Sequence, residues 1–251
     1  MNIPPIDKAA LFQRMGHDVT PLIMVVTGSH SWNLARPDSD IDVRGVYAWH
    51  TRRALSLYPG KDNIEGNGDV DFQAYELAKA LRMLCAANGN VVEMLHNPLV
   101  VHKSAWGERL QTLAPHCVTK RLAGYYEGYA TSQRKRAMHN RGGKALIYTY
   151  REAYSGLMVM AEGRIVFDFI ELRPLAEARW FRSDVLAWAM ENRYTPTPEH
   201  IMDAFNAEWE ELTVLLQRER DASALPDSEP AAFRNVCNDL LYDCRMMDGL
   251  P

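Results

Sequence analysis

The chain has 251 residues, 47% of them hydrophobic and 24% charged, enough apolar material for one large globular domain or two modest ones. No apolar run reaches the roughly 20 residues a membrane span needs, and the N-terminus MNIPPIDKAALFQRMG lacks the basic-then-apolar order of a signal peptide, so a cytoplasmic protein with no membrane association is expected. The net charge of −4 is unevenly spread: Val118 to Arg151 holds eight basic residues (Lys120, Arg121, Arg134, Lys135, Arg136, Arg141, Lys144, Arg151) and one acid, Glu127. That formal +7 suits a polyanionic partner, or else a solvated helix face. The four cysteines lack CxxC spacing and read as buried thiols rather than zinc ligands.

In chain order, residues 6–16 predict a short amphipathic helix, and the apolar run Leu22 to Val26 predicts a strand. A Gly28-Ser29 turn and a short helical or looped passage lead to a second strand, Asp40 to Tyr47. Trp49 to Asn67 is polar, punctuated by Pro59-Gly60 and Gly66, and reads as a loop with room for a short strand. Asp69 to Ala74 alternates as a third strand should. Helices are expected at Tyr75 to Ala87, stopped by Asn88-Gly89, and at Val91 to His96, stopped by Asn97-Pro98. From Trp106 the pattern turns helical, with candidates near 105–113, 119–138, 143–162, 183–192, 198–220 and 229–246. Arg164 to Phe169 is read as a small strand and Pro226 to Pro230 as a linker. The layout is α+β: a mixed-sheet domain over 1–104 and a helical domain over 105–251.

Asp40 and Asp42 are two apart on a strand, so their carboxylates should project to one face. The glycine after the first strand lets backbone approach a ligand, and free amides there favour phosphate. A carboxylate pair beside an anion cradle suggests metal-assisted phosphoryl or nucleotidyl transfer. Such a site wants a third carboxylate from a neighbouring strand, and Asp71, flanked by apolar residues, is the best placed; Asp69 is the weaker candidate. Arg44 falls one step along the Asp40/Asp42 face. Lys144, Tyr148 and Arg151, at i, i+4 and i+7, share a helix face and make either a triphosphate-and-base clamp or a solvated basic stripe around a half-buried tyrosine. Gln133, beside the Arg134-Lys135-Arg136 run, is a substrate contact or a helix-surface residue; His30 is a nucleotide contact or a surface histidine.

Gly28-Ser29 followed by Asp40-Ile41-Asp42 resembles the signature of the DNA polymerase β-like nucleotidyltransferase superfamily. The longer run DSDIDVRGVY, with DFQAYELAKALRMLCAANGNVVEML, GYATSQ and KALIYTYR, resembles the branch associated with RNA ligase and RNA repair, over about residues 20–165. Tyr148 stands where that resemblance leads one to expect a histidine. The resemblance implies a polymerase β-like catalytic domain that moves a nucleoside monophosphate from an NTP to a hydroxyl, RNA being the expected acceptor. It implies phosphate contacts from Gly28 and Ser29, Mg²⁺ or Mn²⁺ on Asp40, Asp42 and Asp71, proton acceptance by Asp71, and nucleotide contacts from Lys144, Tyr148 and Arg151. An adenylyltransferase acting on a protein or small molecule, or a non-catalytic nucleotide- or RNA-binding module, are the other readings. The base, the acceptor and the oligomeric state stay open.

Overall fold

Leu22 to Val26 carries no polar side chain on either face, and all five residues are fully buried at the centre of one mixed sheet. The computed structural model describes residues 2–140 and 142–246. The sheet holds β1 (Val19–Thr27), β2 (Ile41–Trp49), β3 (Asn63–Gly66), β4 (Val70–Glu76) and β5 (Val100–Lys103), in the order β3-β4-β2-β1-β5. β2 runs antiparallel to β1 and parallel to β4; β3 and β5 complete the edges antiparallel. The three strands expected from the sequence are therefore present and neighbour one another as the pattern implied, and the polar loop does contain the short β3.

The helices in chain order are α1 (Lys8–Met15), α2 (Gly28–Ser31), α3 (Thr51–Ala54), α4 (Leu77–Cys85), α5 (Gly89–His96) and α6 (Ala105–Leu113), then α7 (Leu122–Asn140), α8 (Gly143–Glu162), α9 (Phe169–Arg179), α10 (Asp184–Glu191), α11 (Glu199–Ala222) and α12 (Phe233–Met246). Several elements differ from the sequence reading. Residues 164–168 are irregular rather than a strand, because Asp168 caps the next helix, its carboxylate accepting from the amides of Ile170 and Glu171. That helix, α9, escapes the pattern because Pro174 lies within it. The edge strand β5 is four residues long, too short to show a period. It is held by Asn97, whose amide donates to the Val26 carbonyl at 2.7 Å and accepts from the Leu99 amide at 2.8 Å.

The chain forms two compact units, one of residues 1–117 with 229–251 and one of residues 118–228. Their boundaries fall at 117/118 and 228/229, so residues 105–117 and the last helix lie with the sheet rather than with the other helices. In the sheet unit, Met24, Val26, Val43, Tyr47, Phe72 and Ala74 face α1, where Leu11 and Met15 close the layer. α4 and α6 pack against β2 and β1. Helix α6 comes so near β1 that a Cβ on Gly107 would stand 2.1 Å from the Leu22 carbonyl oxygen. α12 is tied in by polar contacts: Arg245 pairs with Glu76, the capping residue of α4, and donates to the Trp49 carbonyl at 2.6 Å. Arg109 pairs with Asp243 at 2.8 Å. All four cysteines belong to this unit as free thiols; burial, with Cys85 and Cys117 nearby, pushes the Cys237 thiol far up.

The helical unit is built round α8, whose residues from Leu146 to Met160 are almost all buried against α7, α9, α10 and α11. Tyr150 and Tyr154 of this helix pack the interior. The Tyr150 hydroxyl donates to Glu208 Oε2 at 2.5 Å, as does Ser183, and burial ahead of the Glu208 charge raises its pKa strongly. Among the described residues, no helix is long and apolar enough to cross a membrane.

Candidate active site

The backbone register of the sheet decides where the carboxylates stand. β1 ends at Thr27, which pairs with Asp42 on β2, and Asp42 pairs with Asp71 on β4. Paired residues on adjacent strands share a face, so Thr27, Asp42 and Asp71 form one row across three strands. Gly28 follows at once with φ +65, a left-handed conformation that disfavours a side chain. A Cβ there would lie 2.5 Å from Asp42 Oδ2, so the missing side chain is what lets the carboxylate sit against the turn. Asp71 is half-buried, and its Oδ1 accepts from the Gly68 amide at 2.9 Å. Asp40 is exposed and lies just before β2.

Ser29 opens the single turn of α2, its carbonyl accepting from the Leu34 amide at 2.9 Å, while Ser31 Oγ donates to the Gly28 carbonyl at 3.0 Å. His30 Nε2 lies 3.5 Å from the Ser39 carbonyl, bridging the turn to the loop before Asp40. Arg44 sits in the next row of the same face, level with Val25 and Gln73. Trp49 packs rather than projects: its Nε1 donates to the Lys61 carbonyl at 2.9 Å and its ring meets Tyr47 edge-on. The sheet thus brings Asp42, Asp71 and the Gly28-Ser29 turn together, with Asp40 at the mouth of the strand. Among the described residues, no three His, Cys, Asp or Glu side chains are drawn close enough to hold a metal ion as they stand. The donor set is nonetheless all carboxylate oxygen, the chemistry that hard divalent cations take.

In the helical unit, Lys144 and Tyr148 line a cavity of about 310 Å³ together with Gln133, Arg136 and Asn140 of α7 and the backbone around Gly142 and Ala145. Lys144 Nζ lies 5.7 Å from the centre of the Tyr148 ring, within cation–π reach. Arg193 donates to the Tyr148 hydroxyl at 3.3 Å, and its own carbonyl accepts the Lys144 amide at 2.9 Å. Arg151 is not in the lining: it is 1% exposed and paired with Glu152 Oε1 at 2.5 Å. The basic run is divided likewise. Arg134 donates to Asn206 at 3.0 Å and stacks over Trp209, whereas Arg136 is exposed at the cavity. Arg141 lies outside the described residues. Arg136 is read from the sequence only as part of the basic run and Asn140 not at all, although they follow Gln133 at i+3 and i+7 on one helix face.

A mixed sheet with a glycine turn after its first strand, paired aspartates on its second and fourth, and a helical C-terminal region is a polymerase β-like nucleotidyltransferase fold. The chain belongs to the RNA repair pathway DNA polymerase beta family, RlaP, whose model matches residues 10–243. It is also similar to the uncharacterized protein MJ0002 of Methanocaldococcus jannaschii, 28% identical over 228 residues, covering 86% of this chain and 92% of that protein. The uncharacterized protein YcgL of Bacillus subtilis is 26% identical over 164 residues, 62% of this chain and 54% of the relative.

Proposed function

We propose that the protein is a metal-dependent nucleotidyltransferase that moves a nucleoside monophosphate from an NTP to an acceptor hydroxyl, RNA first among acceptors, with release of pyrophosphate. The observation that carries this reading is the Asp42–Asp71 register beside a glycine turn that has no room for a Cβ. The family name, with its reference to RNA repair, supports both the reaction class and the acceptor.

Asp40, Asp42 and Asp71 would hold Mg²⁺ or Mn²⁺, which when bound neutralises phosphate charge and polarises the reacting phosphorus. The Gly28 and Ser29 segment binds the phosphates through backbone and hydroxyl donors. Asp71 takes the proton as the acceptor oxygen bonds to the α-phosphorus; the bond from that phosphorus to the β-phosphate oxygen breaks, and pyrophosphate leaves with its electron pair. Lys144 and Tyr148 bind the nucleotide through charge and ring face. Arg151, paired and buried, supports the helix that carries them.

The test is incubation with Mg²⁺ or Mn²⁺, each labelled NTP, and either total RNA or a protein extract. Label transfer to RNA that disappears in Asp42→Asn and in EDTA is the expected result. Transfer to protein instead would reassign the acceptor, and nucleotide binding with no transfer under any metal would make the chain a non-catalytic module.

A further inference from the structure

The helical unit's cavity is lined on one side by Gln133, Arg136 and Asn140, spaced i, i+3 and i+7 along α7, and on the other by Lys144 and Tyr148 of α8. Two cations, two primary amides and one aromatic ring therefore line one space, and among the described residues no carboxylate lines it. Elsewhere in the unit several arginines meet acids: Arg164 with Glu162, Arg173 with Glu177, Arg179 with Glu162. Gln133 is only 4% exposed, so its amide is committed to the interior rather than to bulk water. The volume, about 310 Å³, falls at the small end of ligand pockets, roughly 300–1,000 Å³.

We infer that this cavity is a phosphate-binding site in which Arg136, not Arg151, is the second cation beside Lys144, with Gln133 and Asn140 as amide donors to the phosphate oxygens. A planar guanidinium and an ammonium offer complementary donors to a phosphate group, one forked and one point-like. The Tyr148 ring, held by the hydroxyl contact to Arg193, supplies an apolar face for a base or ribose next to it. The inference rests on the reading above in taking Lys144 and Tyr148 as nucleotide-binding. It adds three contact residues, Gln133, Arg136 and Asn140. The phosphate belongs either to an NTP or to the 5′-phosphorylated end of an RNA, which present the same chemistry to Arg136 and Lys144.

The experiment is calorimetric titration of the full-length protein in EDTA, so that no metal assists binding at the aspartates. Inorganic tripolyphosphate, ATP and a short 5′-phosphorylated oligoribonucleotide are the probes. Arg136→Ala and Lys144→Ala should each weaken tripolyphosphate binding about tenfold, as expected for one charge-assisted contact. Lys135→Ala removes the same charge from the exposed helix surface outside the cavity and should change it by less than about twofold. Gln133→Leu should weaken binding as well, without loss of the wild-type melting temperature. ATP displacing tripolyphosphate while the RNA does not identifies the nucleotide as the source; displacement by the RNA identifies its 5′ end. The inference is overturned if the wild-type protein binds none of the three probes, or if Arg136→Ala behaves as Lys135→Ala does. Tripolyphosphate binding is read in EDTA, where the metal-dependent transfer does not operate. A failed cavity would thus leave metal-dependent transfer standing, and a failed transfer assay would leave the cavity standing.

Discussion

The sheet unit and the helical unit place their charged residues by different means. In the sheet, backbone pairing sets Thr27, Asp42 and Asp71 level with one another, and a side chain's face follows from its count along the strand. In the helices, spacing gives only a stripe, and packing then sorts that stripe into buried and accessible members. Arg134 and Arg136 are two residues apart, yet one is spent on Asn206 and Trp209 and the other lines a cavity. Lys144 and Arg151 share a face by count, yet one is exposed and the other is sealed against Glu152. Strand position thus predicts the placement of a side chain more directly than helix position does in this molecule.

The contrast is sharpest where a strand carboxylate is removed. Asp42→Asn should lower metal-dependent transfer on the order of a thousandfold, about 4 kcal/mol of barrier, while leaving the melting temperature within a few degrees. A full-activity Asp42→Asn enzyme would mean that the sheet row is not the reacting centre. Arg151→Ala should do the reverse. Breaking a buried ion pair by removing one member typically costs about 3–5 kcal/mol, so denaturant unfolding should show a large stability loss. Unchanged stability in that variant would mean that Arg151, like Lys144, is not held in place by burial.

Gly28→Ala probes how tightly the turn is fitted. Left-handed backbone costs a non-glycine residue about 1–2 kcal/mol, and the new Cβ would also push Asp42 Oδ2 aside. Activity should fall more than stability accounts for, which parallel unfolding and turnover measurements will show.

The smallest expected effect is on pH dependence. Burial lowers the pKa of His96, outweighing its contact to the Val92 carbonyl. The unfolded chain then takes up a proton near the ordinary value of 6.5 before the folded one does. The contribution of His96 is therefore intact above that pH and is lost as pH falls below it, by at most about 1.4 kcal/mol per pH unit. His96→Gln should flatten the acid side of a stability-versus-pH curve. An identical curve would show that the histidine is free to protonate in the native state.

Much of the sheet unit was legible from residue order because its signals are local. Apolar runs and alternation marked β1, β2 and β4, and Gly28 marked the turn, whereas of the two aspartates expected on one strand face Asp42 lies within β2 and Asp40 just before it. Asp71 was picked as a carboxylate on a neighbouring strand, and the parallel register sets it level with Asp42. Less was legible where no period exists to read. The four-residue β5 and the proline-containing α9 went unseen, and so did the return of α12 to the sheet, which depends on Arg245 meeting Glu76 across the fold.

By itself, then, the order of residues determined the secondary elements with strong periods, the family, and the carboxylate and glycine positions, since each follows from backbone geometry over a few residues. Only the tertiary structure decided which cations are accessible, that Arg136 and Asn140 join Lys144 at one cavity, and that the last helix belongs with the sheet. Those outcomes turn on burial and on partners distant in sequence, and a helix stripe looks the same whether a neighbour covers it or leaves it open.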